Sequence, residues 1–178
     1  APAAVSGGVC ASVRAMDGQF GLATAGIFAA MVLDGLDGRV ARMTHTQSAF
    51  GEQMDSLSDM VSFGAAPALV AYMWALQPLG RAGWLAAFVY CSCAALRLAR
   101  FNVNTSVVDK RYFQGLPSPA AAALVAGFIW LTSAMFEAHR DVDLFRQLIS
   151  ALGGQRVARG DFSWLMFGIT LFAGLSMV

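Results

Sequence analysis

A run of acidic, small and basic residues follows the apolar segment 20–33, and it reads Asp34-Gly35-Leu36-Asp37-Gly38-Arg39-Val40-Ala41-Arg42. Gly51, Asp55 and Asp59 follow at fixed spacing. If the apolar segment continues as a helix through this run, Asp34 and Asp37 share one face, because residues three apart are neighbours on a helix. Asp55 and Asp59 share a face of the next helix by the same rule. Residues 43–54 are polar enough to turn between the helices, so the two acidic faces are predicted to meet.

Four carboxylates beside apolar helices need cations, since unneutralised charges would repel one another and lose their hydration. Ligands that are all oxygen favour hard divalent ions such as Mg²⁺, Mn²⁺ or Ca²⁺. Four aspartates can hold two such ions about 4 Å apart, an arrangement that suits phosphoryl transfer. Gly38 and Gly51 leave room for a phosphate beside the backbone, and Arg42 offers it a fork of donors. The stretch therefore predicts a diphosphate site.

Two other interpretations of the acidic cluster are weaker. Carboxylates within a membrane also occur in cation transporters and proton relays, but a transporter does not explain Gly38, Arg42 and Gly51. An EF-hand calcium loop matches poorly, because the Asp-x-Asp-x-Asp-Gly alternation and the closing Glu are missing from the sequence. Phosphoryl transfer remains the favoured function.

The composition is typical of a membrane protein. The chain has 178 residues, is 57% hydrophobic and 13% charged, and has a mean hydropathy of +0.59, which excludes an ordinary soluble domain. The net charge of +1 and the scattered basic residues give no case for a nucleic-acid partner. We predict one all-α membrane domain over residues 1–178, a bundle of about six spans when complete and truncated at both ends.

Five spans are expected from the apolar runs, at residues 20–42, 52–76, 84–98, 118–136 and 162–178. Residues 1–13 resemble the tail of a further span. Pro67 lies inside the second run, where it should kink the helix and free a carbonyl group. A short helix on the membrane surface is expected around residues 145–152.

The spacing Asp-x2-Asp-Gly-x2-Ala-Arg-x8-Gly-x3-Asp-x3-Asp resembles the signature of the CDP-alcohol phosphatidyltransferase family at all eight specified positions. The resemblance implies a membrane enzyme in which an alcohol displaces CMP from a CDP-linked lipid, with Mg²⁺ or Mn²⁺ as cofactor. It also implies a homodimer. One ion would be bound by Asp34, Asp37 and Asp55, and a second would be shared in the acidic cluster. Asp59, also a metal ligand, would be the general base, and the CDP pocket would be lined by Gly38, Ala41, Arg42 and Gly51.

A second polar segment is predicted at the same end of the bundle, by counting crossings. It holds four cations, Arg97, Arg100, Lys110 and Arg111. Basic residues at helix ends are expected on topological grounds alone, and they suit the anionic part of an acceptor or a lipid phosphate equally well. The candidates for this second role are Arg97, Arg100 and Lys110.

Two stretches here narrow the resemblance: Arg-Leu-Ala-Arg-Phe-Asn at residues 97–102 and Tyr-Phe-x-Gly-Leu-Pro-Ser-Pro-Ala-Ala-Ala at residues 112–122. They resemble the phosphatidylserine synthase branch of the family, which implies CDP-diacylglycerol and L-serine as substrates in a lipid membrane. The residues themselves leave glycerol 3-phosphate and inositol or its phosphate open as acceptors, because each brings an anionic group to the site.

The basic residues divide evenly between the two ends of the bundle, so the positive-inside rule gives no orientation. We expect the aspartates to face the cytoplasm from the cell membrane, since CDP-lipids and serine are available there.

Overall fold

The computed structural model describes residues 2–43, 49–104, 115–138 and 155–178, and these form an all-α bundle, as predicted. The α-helices are α1 (Pro2–Met16), α2 (Phe20–Met43), α3 (Ala49–Asp59), α4 (Ala66–Ala71), α5 (Arg81–Asn104), α6 (Ser118–Ala138) and α7 (Gln155–Leu175). A π-helical turn, Met60–Ala65, joins α3 to α4, and a second π-helical segment and a 3₁₀ turn complete the rod to residue 79. We call residues 49–79 the central helix.

Within the part of the chain that the structure describes, three helices are long and apolar enough to cross a membrane, Phe20–Val40, Gln53–Leu79 and Arg81–Val103. Each exceeds the roughly 20 residues that span the hydrocarbon layer. The central helix is the most enclosed, with 56% of its apolar window buried against 22% and 28% for the other two. The fold is a multi-span membrane bundle built around the central helix.

The predicted spans coincide with helices, but both predicted ends of the third span were wrong. Helix α5 covers Arg81–Asn104 instead of residues 84–98. Helix α7 begins at Gln155, and its apolar part, Ser163–Leu175, begins where the last span was predicted to begin. Charged residues can continue a helix beyond its apolar part, because a long stem can lie along an apolar surface while the charge reaches water. The span tail expected at residues 1–13 is helix α1, which packs on α2. The expected surface helix lies outside the described residues.

Small residues bring α1 close to its neighbours. A Cβ atom added at Gly7 would lie 2.9 Å from the Cβ of Ala30 on α2. One added at Gly8 would lie 2.8 Å from the Cα of Ser62 in the first π turn. Contacts of this kind between backbones are common in membrane bundles, where small residues permit close helix packing. Helix α1 therefore holds α2 and the central helix together on one side.

Pro67 frees a backbone carbonyl of its helix, as predicted. Proline has no N–H group, so the carbonyl of Phe63, four residues earlier, loses its α-helical partner. The Tyr90 hydroxyl of α5 donates a hydrogen bond to that carbonyl at 3.1 Å. The N–H of Ala66 reaches back five residues to the carbonyl of Val61, the pattern of a π turn. The freed carbonyl is thus confirmed, and a π turn directly before the proline accommodates it.

Buried threonine hydroxyls bond within their own helices. They donate to the carbonyl four residues earlier, from Thr24 to Phe20 at 3.0 Å, from Thr132 to Phe128 at 2.6 Å and from Thr170 to Met166 at 2.8 Å. Such bonds satisfy a polar group in an apolar environment without a partner from another helix.

Candidate active site

The acidic faces of α2 and the central helix meet at one end of the bundle. The carboxyl groups of Asp34 and Asp59 are in hydrogen-bonding contact, and Asp55 lies within electrostatic range of both. Asp37 lies within electrostatic range of Asp34. All four side chains are half-buried. The structure therefore brings the predicted residues together from two helices, and their roles as ligands and base stay predictions.

Two carboxylate oxygen atoms at this contact are buried without a hydrogen-bond partner, Oδ1 of Asp34 and Oδ1 of Asp59. An unsatisfied buried polar atom costs about 1–3 kcal/mol, more when the group is charged. Two carboxyl groups in contact also need a proton or a cation between them. Unpaired oxygen atoms in such a pair fit a hard divalent cation.

The predicted set of four metal ligands is only partly assembled. Across residues 2–43, 49–104, 115–138 and 155–178, no three acidic, histidine or cysteine side chains converge closely enough to hold one ion. Asp34 and Asp59 are the pair in direct contact, and Asp37 and Asp55 lie around them. Asp34 and Asp59 are therefore the strongest candidates for ligands.

Helix α5 runs antiparallel to the central helix and carries basic residues to the aspartates. Phe63 and Gly64 lie opposite Tyr90 and Ala94. Further along α5, the charge of Arg97 interacts with that of Asp59, and Asn102 bonds to Ser56. We call this set of contacts the α5 seam. It confirms that Arg97 lies at the aspartate end of the bundle, as the count of crossings predicted.

Arg97 presents its guanidinium group between the central helix and α6. Its charge interacts with that of Asp59, and its Nη1 donates to the hydroxyl of Ser118 at 3.2 Å. Its Nε is buried without a hydrogen-bond partner. Because a guanidinium group binds carboxylates and phosphates through several donors at once, Arg97 is suited to hold an anionic group next to Asp59.

The other basic candidates are placed differently. Arg100 is exposed, and its Nη1 donates to the backbone carbonyl of Val178 at 3.2 Å, which directs it towards the end of α7. Lys110 lies outside the described residues. Of the three candidates for an anion site, the structure therefore brings Arg97 to the aspartates.

The residues predicted to line the CDP pocket lie on the helices that carry the aspartates. Gly38 is half-buried on α2, and Gly51 is exposed in the first turn of α3. Ala41 and Arg42 are in the last turn of α2. These positions put all four residues at the aspartate end of the bundle, and their contacts with a nucleotide stay a prediction.

Sequence reasoning did not single out the polar pair that closes the α5 seam. The hydroxyl of Ser56 donates to Oδ1 of Asn102 at 3.2 Å, and Nδ2 of Asn102 lies 3.1 Å from the same hydroxyl. Ser56 is next to Asp55 in the sequence, and Asn102 belongs to the Arg-Leu-Ala-Arg-Phe-Asn stretch. Proximity to two functional motifs was the available signal, although no spacing rule relates residues 46 positions apart.

The outer face of α2 beside the aspartates is apolar and open. Val32, Leu36 and Val40 are 63%, 50% and 58% exposed. In a bilayer such side chains contact acyl chains. This apolar face lies on the same helix as Asp34 and Asp37.

Comparison with known proteins gives consistent results. A family model described as CDP-alcohol phosphatidyltransferase matches residues 4–172. Three relatives share the name CDP-diacylglycerol–serine O-phosphatidyltransferase. One from Helicobacter pylori is 48% identical over 107 residues, which cover 60% of this chain and 45% of that protein. One from Mycobacterium leprae is 42% identical over 148 residues, with 72% and 48% covered. One from Methanocaldococcus jannaschii is 45% identical over 105 residues, with 59% and 49% covered.

The chain spans about half the length of the curated relatives it matches. The family model, by contrast, covers nearly the whole chain, including both acidic faces and the α5 seam. The eight-position motif and the antiparallel helices that present it lie within that match. The chain belongs to the CDP-alcohol phosphatidyltransferase family.

Proposed function

We propose that this protein transfers the phosphatidyl group of CDP-diacylglycerol to the hydroxyl of L-serine, forming phosphatidylserine and releasing CMP. The observation that carries the proposal is the contact of Asp34 with Asp59, with Arg97 facing Asp59 from the α5 seam. An acidic pair and an arginine provide separate places for a cation, a proton and an anionic group. The names of the relatives support both substrates.

We propose Mg²⁺ or Mn²⁺ as the cofactor, held as a pair of ions by Asp34, Asp37, Asp55 and Asp59. The unpaired oxygen atoms of Asp34 and Asp59 support these two residues as ligands. When bound, the ions supply positive charge to the diphosphate and to the departing CMP.

The chain's own residues would divide the remaining work. Asp59 accepts the proton of the serine hydroxyl as the serine oxygen bonds to the lipid-side phosphorus. The bond from that phosphorus to the bridging oxygen breaks, and CMP departs with this oxygen. Arg42 holds the nucleotide phosphates, with Gly38, Ala41 and Gly51 leaving space for the CDP group.

Arg97 would hold the carboxylate of serine or the phosphate of the lipid, and a role for Arg100 and Lys110 in binding the same anionic groups stays a prediction. The exposed apolar face of α2 supports entry of CDP-diacylglycerol from the membrane. We place the site at the cytoplasmic face of the cell membrane, where serine is available. A homodimer stays a prediction from the family resemblance.

The experiment that tests this function measures CMP release by the purified full chain with CDP-diacylglycerol and Mn²⁺ or Mg²⁺. L-serine, glycerol 3-phosphate, inositol and inositol 1-phosphate are added in separate reactions. We expect release with serine and none with the other alcohols. Release with another acceptor would keep the reaction and correct the substrate. If no alcohol supports release from a folded preparation, the transferase proposal fails, and a cation-flux assay in liposomes becomes the next test.

Replacement of Arg97 by alanine is expected to raise the KM for serine about tenfold or more, because a charge-assisted hydrogen bond contributes about 1.5–3 kcal/mol. The KM for CDP-diacylglycerol should change by less than about twofold, on the assumption that Arg97 holds the acceptor. Steady-state kinetics with each substrate varied in turn measures both constants.

Arg14→Ala is the matched control for this prediction. Arg14 is exposed and its Nη1 donates to Oε1 of Gln19 at 2.9 Å, in the turn before α2 and away from the aspartates. Its removal should leave both KM values unchanged. Equal increases in the two KM values of Arg97→Ala would contradict the assignment of Arg97 to the acceptor.

A further inference from the structure

The π turn of the central helix begins directly after Asp59. Asp59 is the last residue of α3, and the turn extends from Met60 to Ala65. Within it, the carbonyl of Phe63 accepts the hydrogen bond from the Tyr90 hydroxyl at 3.1 Å. Phe63 and Tyr90 are both completely buried. We call this hydrogen bond the tether. It acts on the backbone about one helical turn away from Asp59.

The geometry of this turn affects the direction of the Asp59 side chain. A π turn contains one residue more than an α turn, so it offsets the faces before and after it by about 100° relative to a continuous α-helix. If the turn returned to α geometry, Asp59 would rotate relative to the buried face of α4. Its contact with Asp34 and its interaction with the charge of Arg97 are made with this offset in place.

The residue that bonds to the π turn, Tyr90, belongs to α5, the helix that also carries Arg97. Tyr90 and Arg97 are seven residues apart, two helical turns along the same side of α5. A Cβ atom at Gly64 would lie 3.3 Å from the Cβ of Ala94, between these two positions, so the helices are closely packed there. The Tyr90 hydroxyl thus fixes the turn on the helix from which Arg97 faces Asp59.

We propose that Tyr90 is a positioning residue for the transferase reaction, which holds the π turn through the Phe63 carbonyl and thereby directs Asp59 towards Asp34 and Arg97. This inference rests on the proposed function. It assigns no substrate contact to Tyr90. Its effect is exerted on the carboxyl group that we propose as the base.

Replacement of Tyr90 by phenylalanine removes the hydroxyl and keeps the ring in the core. We expect kcat for CMP release to fall about tenfold, while the KM for CDP-diacylglycerol changes by less than about twofold. A loss confined to kcat is expected when an interaction that aligns the reacting groups is lost but substrate binding is kept. An unchanged kcat would overturn the proposal.

Pro67→Ala separates positioning from simple satisfaction of a buried carbonyl. An alanine at position 67 restores the N–H group that can pair with the Phe63 carbonyl in α geometry. In the Tyr90→Phe background it should therefore recover thermal stability, because the carbonyl is again paired. It should not recover kcat, because pairing within the helix favours the α turn and rotates Asp59. Recovery of both would show that Tyr90 only satisfies the carbonyl, and would overturn the proposal.

Pro67→Ala alone provides a second test if Tyr90→Phe does not fold. Here the new N–H competes with Tyr90 for the carbonyl, and kcat should fall with little change in the KM for CDP-diacylglycerol. An unchanged kcat would contradict the role of the turn. The matched control is Thr170→Val, which removes a buried hydroxyl that bonds within its own helix; it should keep the kcat of the unchanged protein.

Amide hydrogen exchange tests the tether without reference to activity. In Tyr90→Phe, exchange across residues 55–65 should become faster, while exchange in α6 should remain the same. This result would support the tether even if no acceptor gave CMP release, in which case the proposed function alone would fail. Unchanged exchange across residues 55–65 would overturn the tether itself.

Discussion

Asp59→Asn is expected to lower kcat for CMP release by about a thousandfold, while CDP-diacylglycerol still binds within a few-fold of its original affinity. A positioned general base contributes about 10²–10⁴-fold to a rate, and asparagine has the shape of aspartate without its ability to accept the proton. The contact with Asp34 can be kept, because an amide can donate a hydrogen bond to the remaining carboxylate. Binding of the CDP-lipid and single-turnover CMP release should be measured on the same preparation.

Asp17→Asn is the matched control for this change. Asp17 is exposed in the turn between α1 and α2, far along the bundle from the acidic faces. Its replacement should leave kcat and lipid binding unchanged. If Asp59→Asn also lost CDP-lipid binding and its response to Mn²⁺, Asp59 would act as a metal ligand only, and another group would have to accept the proton.

Asp34→Asn is expected to abolish activity and to remove the stabilisation that Mn²⁺ gives the folded protein. A cation at 100 times its dissociation constant stabilises the state that binds it by about 2.7 kcal/mol. Without Mn²⁺ we do not expect the substitution to destabilise the protein. Asp34→Asn should be as stable as the wild-type protein or more stable, because the two contacting carboxyl groups no longer repel each other. Thermal unfolding in detergent, with and without Mn²⁺, measures both effects.

A titration with Mn²⁺ shows whether Asp34→Asn has lost metal binding, independently of its activity. The midpoint temperature of thermal unfolding should rise with Mn²⁺ concentration in the wild-type protein and in Asp17→Asn. If Asp34→Asn kept the full Mn²⁺-dependent rise, Asp34 would be excluded from the ligand set. The burial of its Oδ1 atom without a hydrogen-bond partner would then need another explanation.

The helices and the meeting of their acidic faces could be predicted from local patterns. The intervals between Asp34 and Asp37 and between Asp55 and Asp59 are helical intervals, so each pair has a defined face. Apolar runs of sufficient length defined the spans. The ends of α5 could not be placed as well, because charged residues near a membrane surface are compatible with either a helix or a loop.

Contacts between distant residues were not accessible from local patterns. Tyr90 lies among apolar residues, where an aromatic ring is first interpreted as core, and its hydroxyl finds a partner 27 residues away. The lost N–H of Pro67 predicted a free carbonyl on Phe63, but the donor that reaches it depends on how α5 packs. Charge alone also does not identify the acceptor alcohol, because a guanidinium group can bind either a carboxylate or a phosphate.

The threonine hydroxyls that bond within α2, α6 and α7 bear on how the protein enters its membrane. A helix that satisfies its own hydroxyls can cross the bilayer as an independent unit before it meets its neighbours. The polar contacts of the α5 seam, by contrast, require two helices. Insertion and formation of the reaction centre are thus expected to be successive stages of biogenesis, with the bonds of Tyr90 and Asn102 made only in the later one.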